Sequence, residues 1–124
     1  MIEVTGLTKR YGDFTAVRDL SFTVHPGEVL GLVGPNGAGK TSTLRCLAGI
    51  IPATAGTIRL AGHALAQDPL AAKRVLAFLP DEPRLFDYLT VWQHLVFTAR
   101  LYRVPDFAEP GRHLLEELEM ADKA

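Results

Sequence analysis

Residues 34–42 read GPNGAGKTS, and this stretch decides which fold the rest of the sequence must form. From Gly34 to Thr41 it matches the pattern G-x-x-x-x-G-K-[ST] in full. The apolar run VLGLV precedes it at 29–33, and the helix-like TLRCLAGI follows it at 43–50. A glycine-rich loop between a buried strand and a helix is the arrangement that cradles phosphate. The stretch therefore predicts an α/β domain that binds nucleotide phosphate.

The residue types of the loop indicate how it would hold a nucleotide. Its three glycines let successive backbone N–H groups turn inward, which forms an anion nest continuous with the positive end of the following helix. We expect Lys40 to reach the β- and γ-phosphates, the Thr41 hydroxyl to ligate Mg²⁺, and Ser42 to hydrogen-bond the α-phosphate. The alternative is a glycine-rich turn that caps a helix without a ligand. The predicted binding residues of the loop are Gly34, Pro35, Asn36, Gly37, Ala38, Gly39, Lys40, Thr41 and Ser42.

Composition sets the broad class of the protein. The 124 residues are 48% hydrophobic and 22% charged, which suits one compact domain with a core. The formal net charge of -1 gives no reason to expect nucleic acid as a partner. The single cysteine, Cys46, excludes an internal disulfide and is expected to be a small core residue. No window approaches the roughly 18 apolar residues that span a bilayer, so a soluble chain that serves a membrane through a partner is expected.

The first part of the chain predicts strands around the loop. β-Branched and aromatic residues indicate a hairpin of strands 2–11 and 16–24. The continuous apolar segment EVLGLVG, at 28–34, predicts a strand in the buried middle of a parallel sheet. A helix is expected over 39–49, and a short strand over 56–62.

The remaining sequence predicts three helices and one more strand. Asp68 and Pro69 open a helix that ends at 74, and the apolar segment 75–79 predicts another buried strand. Thr90, followed three residues later by glutamine, forms a capping box for a helix that ends near residue 103. A last amphipathic helix is expected from about residue 110. We therefore predict an α/β core portion over 1–89 and the start of a helical subdomain over 90–124, in a fold whose later strands are absent.

Several stretches in the same order resemble one family. GPNGAGKTS, preceded by LSFTVHPGEVLGLV, with LTKRYGDFTAV upstream and ATAGTIRLAGH downstream, closely resembles the amino-terminal half of ABC transporter ATP-binding subunits. The resemblance covers essentially the whole chain. It implies a truncated P-loop NTPase-type core with an antiparallel β-hairpin subdomain and the start of a helical subdomain. It also implies that Tyr11 stacks on the adenine of ATP, whereas without the resemblance Tyr11 is equally well a half-covered residue at a strand end.

The segment LAFLPDEPRLFDYLTV, at 76–91, corresponds to the family's glutamine loop. The resemblance implies a glutamine that senses Mg²⁺ and the attacking water, but the matching position is Asp81, followed by Glu82. An aspartate is a candidate Mg²⁺ ligand, although it brings a negative charge near the γ-phosphate. The alternative is a pair of solvated loop carboxylates. Trp92 and Phe86, at the opening of the helical subdomain, are candidate contacts for a transmembrane partner, and Trp92 is equally well a core residue.

The resemblance further implies partners and a location. In the family, two ATP-binding subunits close head to tail, and ATP hydrolysis drives a transmembrane permease from the cytoplasmic face of the membrane. The aspartate and glutamate that end a hydrophobic strand, the Ser-Gly-Gly signature and the switch histidine are not found in this sequence. We therefore expect this chain alone to be a fragment that binds nucleotide poorly and hydrolyses it at near-background rate. The LPDEP loop resembles exporter-type subunits more than importers.

Two other function classes remain open from the residues. A P-loop kinase or GTPase would share the phosphate loop, but the guanine-specific pattern Asn-Lys-x-Asp is not found in the sequence. A non-hydrolytic module would use bound nucleotide only to fold. Comparing ATP with GTP binding distinguishes a kinase or GTPase from a transporter subunit. An ATPase assay distinguishes a non-hydrolytic module from it.

Overall fold

The computed structural model describes the backbone of residues 1–123 and the side chains of residues 1–122. Ala124, the last residue of the predicted helical subdomain, lies outside them. None of the helices in these residues is long and apolar enough to cross a bilayer. The described elements are, in order, β1 (Ile2–Tyr11), β2 (Phe14–Val24), α1 (Lys40–Leu47), β3 (Ala55–Leu60), β4 (His63–Ala64), α2 (Pro69–Arg74), α3 (Val91–Tyr102), α4 (Ala108–Glu117) and a 3₁₀ turn (Ala121–Lys123).

Contacts group the chain into two compact units, one from Met1 to Phe78 and one that begins at Leu79. The sequence places its functional boundary later, after residue 89. Compact units reflect only which residues touch, so the functional division stays a prediction.

The first unit is built on an antiparallel sheet with the strand order β2-β1-β3-β4. Strands β1 and β2 form the predicted hairpin, which turns between the paired residues Tyr11 and Phe14. Gly12 in this turn has a φ of +57°, which glycine adopts at little cost. Strand β1 also pairs with β3, and it therefore lies inside the sheet and carries much of the core.

Helices α1 and α2 cover the sheet and complete the core of the first unit. Leu7 of β1 and Cys46 of α1 are the largest fully buried side chains. Cys46 is thus the core residue that the sequence predicts, and burial raises the pKa of its thiol. The core cluster comprises Val4, Leu7, Val17, Cys46, Ile58, Leu60 and Ala72.

Two predicted strands are wrong. Residues 28–34 and 75–79 form no strand, and Val29 and Val33 are 99% and 92% exposed. A strand requires hydrogen bonds to a neighbouring strand, and no described strand pairs with either segment. Both segments are apolar, but hydrophobicity alone does not provide the neighbouring strand that a β-strand needs.

The second unit contains the predicted helical pair. Thr90 caps α3 by accepting a hydrogen bond from the backbone N–H of Gln93, whose side chain accepts one from the N–H of Thr90. This confirms the capping box. The Trp92 ring stacks on Phe107 at 5.3 Å, and Leu115 of α4 is buried. The apolar residues of this pair are covered only in part, because Tyr102 of α3 and Leu118 after α4 remain exposed.

Replacing Leu7 by alanine is expected to lower the free energy of unfolding by about 2–5 kcal/mol, because the side chain is fully buried and a cavity would remain. Urea denaturation followed by circular dichroism measures the change. Leu70→Ala is the matched control: this leucine is 63% exposed, and its loss should change stability by less than about 0.5 kcal/mol. Equal effects of the two substitutions would contradict the described core.

Replacing Thr90 by alanine removes the side-chain acceptor at the start of α3 and should cost about 1 kcal/mol. Amide hydrogen exchange at Gln93 is expected to accelerate first, since its N–H loses its partner. Thr90→Ser keeps the hydroxyl and should leave this exchange near the wild-type rate.

Candidate nucleotide-binding site

The loop that precedes α1 takes its shape from two left-handed glycines. Gly37 has a φ of +85° and Gly39 a φ of +83°, a region that other residues rarely adopt. Gly39 caps α1 without a side-chain hydrogen bond. The first intrahelical bond runs from the Thr43 N–H to the Gly39 carbonyl, so in the described hydrogen-bond network the N–H groups of residues 40–42 remain free donors. The loop thus ends in an open set of donors at the positive end of a helix.

Gly39 is also required by its surroundings. A Cβ atom at this position would collide with the carbonyl oxygen of Ala16 in β2 and would lie 3.1 Å from Cγ2 of Val17. The loop is therefore seated directly on the hairpin. Gly34 is less constrained, since an added Cβ would meet only the Ala38 methyl at 3.2 Å.

Lys40 folds back over the loop. Its ammonium Nζ donates to the carbonyl oxygens of Gly34 at 2.6 Å and Pro35 at 2.7 Å. These bonds hold a positive charge beside the free N–H donors of α1. The arrangement offers an anion one cation and several backbone N–H dipoles.

The threonines and the serine at the start of α1 differ in availability. Thr43 is buried, and its hydroxyl donates to the Gly39 carbonyl at 3.0 Å. Thr41 is exposed, and no hydrogen bond of its hydroxyl is found among the described residues. The free hydroxyl at Thr41 is a hard oxygen donor of the kind that Mg²⁺ takes up together with phosphate and water. Ser42 is already engaged, since its Oγ lies 3.3 Å from the Tyr11 hydroxyl.

Tyr11 lies at the end of β1, and its hydrogen bond to Ser42 brings it to the phosphate loop across 31 residues of sequence. The residue is 47% exposed, so part of the ring is available to a ligand. Its predicted role in adenine stacking stays a prediction.

Lys9, which the sequence analysis did not single out, lies against Tyr11. It is only 9% exposed, and its Nζ lies 4.9 Å from the centroid of the Tyr11 ring. A signal was present, because Lys9 stands two residues after the buried Leu7 and so shares its inward face of β1.

Asp81 and Glu82 are exposed loop residues of the second unit. Neither forms an ion pair among the described residues. The described residues also contain no group of three or more His, Cys, Asp or Glu side chains able to hold a metal. The assignment of Mg²⁺ to Thr41 and Asp81 together therefore stays a prediction.

Trp92 is half-buried in the helical pair rather than presented as a contact residue. Besides its stack on Phe107, its ring faces the Arg112 guanidinium at 5.8 Å. Phe86 is 44% exposed and packs beside Tyr88, His94 and Phe97, so it is the more available of the two predicted contacts.

Comparison with known proteins places this site in a family. The family described as ABC transporter matches residues 17–124. The SkfA peptide export ATP-binding protein SkfE of Bacillus subtilis is 36% identical over all of this chain and 52% of its own length. The spermidine/putrescine import ATP-binding protein PotA of Aggregatibacter actinomycetemcomitans is 37% identical over 97% of this chain and 32% of its own. The chain thus spans about half the length, or less, of these curated relatives.

Comparison with solved structures leads to the same family. The structure of an ATP-binding subunit of an ABC transporter superposes with a TM-score of 0.88 at 31% identity, over 98% of this chain and 52% of that one. An ABC transporter ATP-binding protein from Pyrococcus furiosus, so named with the qualifier putative, gives a TM-score of 0.69 at 28% identity, over 83% of this chain and 49% of that one. These likenesses confirm the predicted fold class, a truncated P-loop NTPase-type α/β domain. The chain belongs to the ABC transporter family and matches about half of an ATP-binding subunit of that family.

Proposed function

We propose that this chain binds MgATP at the phosphate loop and that the complete subunit hydrolyses ATP to drive transport. The observation that carries the proposal is the geometry of the loop: free N–H donors at the start of α1 lie beside the ammonium of Lys40. ATP offers the polyphosphate that such donors bind, and family membership supports ATP over other nucleotides.

Within this proposal, Thr41 supplies a protein oxygen to Mg²⁺, which would neutralise charge on the phosphates. Magnesium usually takes only one or two protein oxygens and completes its shell with phosphate and water, so a single free hydroxyl fits this role. Asp81 is proposed as a second oxygen donor. Tyr11 is proposed to stack on the adenine ring.

We also propose the partners that the family resemblance implies: a transmembrane permease, a second ATP-binding subunit packed head to tail, and a location at the cytoplasmic face of the membrane. Exposed aromatic residues of the second unit, Phe86 and Tyr88, support a permease contact there. SkfE is named for export and PotA for import, so the expected export direction stays a prediction.

Replacing Lys40 by methionine should weaken ATP binding by about ten- to one-hundredfold, because a charge-assisted contact to phosphate is lost. Isothermal titration calorimetry of the full chain with MgATP measures this change. Lys73→Met is the matched control, since this exposed lysine lies in α2 and outside the loop. Equal affinities for the wild type and Lys40→Met would contradict the proposed site.

This chain alone should release phosphate from ATP at near-background rate, because it lacks the glutamate base, the Ser-Gly-Gly signature and the switch histidine expected of the family. A phosphate-release assay at saturating MgATP tests this expectation. Turnover near 1 s⁻¹ or faster, a common enzyme rate, that disappears in Lys40→Met would show that the chain's own residues suffice.

A further inference from the structure

A largely buried lysine lies against the ring that is proposed to stack on the base. Lys9 is 9% exposed although lysine is among the residues least often buried without a partner. No carboxylate of the described residues lies within ion-pairing distance of it. Its Nζ instead donates to the carbonyl oxygen of Pro52 at 2.9 Å and lies over the Tyr11 ring.

The surrounding backbone holds this lysine in place. The Thr54 N–H donates to the Thr8 carbonyl at 2.8 Å, and the Arg10 N–H donates to the Thr54 hydroxyl at 3.0 Å. These bonds fasten the chain that follows Pro52 to the end of β1. The Pro52 carbonyl that accepts from the Lys9 ammonium is therefore held near the end of β1.

Stability does not account for a charge at this position. Removing an ammonium from water is costly, and the compensation from one carbonyl and one aromatic face is modest. Methionine has a similar length and would fill the same space without that cost. Pro52 is exposed, so water could satisfy its carbonyl in place of Lys9.

The charge of Lys9, which methionine would lack, acts on the electrons of the Tyr11 ring. A cation over one face draws π density toward itself, which makes the opposite face a better stacking surface for an electron-rich purine. The Tyr11 hydroxyl is meanwhile held by Ser42 at 3.3 Å, so the ring is fixed at its edge and at one face. The residue keeps 47% of its surface exposed for a ligand.

We propose that Lys9 is a positioning residue for the base, which orients and polarises the Tyr11 ring so that the purine of a nucleoside triphosphate stacks on the face opposite the ammonium. This inference rests on the proposed function, because it requires nucleotide at the phosphate loop. It assigns Lys9 no contact with the ligand.

The test compares binding of MgATP and of inorganic tripolyphosphate to the full chain by calorimetry. Lys9→Met should weaken ATP binding by about two- to fivefold, which is less than the loss expected when the base stack itself is removed, and leave tripolyphosphate binding unchanged. Lys9→Arg keeps the charge and should retain most of the ATP affinity. In a Tyr11→Leu background, Lys9→Met should have no further effect on ATP, because the ring through which it acts is gone.

The outcomes separate this inference from the proposed function. If the wild type binds neither ATP nor tripolyphosphate, the proposed function is wrong and the inference falls with it. If the wild type binds ATP and Lys9→Met binds it equally well, the inference alone is overturned. An equal loss of ATP and tripolyphosphate binding, or a full effect of Lys9→Met in the Tyr11→Leu background, would assign Lys9 a general structural role and also overturn it.

Discussion

The close approach of Gly39 to the Ala16 carbonyl is the constraint on which the site depends. It seats the phosphate loop on β2 and, with the left-handed φ of Gly39, starts α1 at Lys40. The start of α1 then determines which N–H groups lack intrahelical acceptors and where the side chains of residues 40–42 begin. A side chain at position 39 would separate the loop from the hairpin, and the donors would lose their common direction.

The hairpin contributes more than a platform. Because α1 is held against β2, Ser42 comes within hydrogen-bonding distance of Tyr11 at the end of β1. Strand β1 also pairs with β3, and its buried Leu7 anchors the core beneath both. The proposed base contact and the proposed phosphate contact are therefore parts of one packed unit, so a shift of β1 would displace both.

Sequence reasoning succeeded where the determinants are local. The capping box at Thr90 needs only a side chain and a backbone three residues away, and the turn before α1 needs only glycines at fixed spacing. Phosphate binding by this turn stays a prediction. Sequence reasoning failed for residues 28–34 and 75–79, because strand formation depends on a neighbour that the pattern does not name. Lys9 was missed for a related reason: its place two residues from Leu7 and Tyr11 in β1 indicates their shared face, but the Pro52 carbonyl that accepts from it comes from elsewhere in the chain.

Lys9 and Lys40 show how burial decides what a charge can do. Both ammonium groups donate to backbone carbonyls, at 2.9 Å for Lys9 and at 2.6 and 2.7 Å for Lys40. Lys40 is half-buried at the loop, and a phosphate could replace its carbonyl partners with stronger, charge-assisted ones. The Lys9 side chain is largely buried, and leaving its position would cost the ammonium both the Pro52 carbonyl and the face of the Tyr11 ring. Lys40 can thus contact a bound phosphate directly, whereas Lys9 is proposed to affect the ligand through its electric field on the Tyr11 ring.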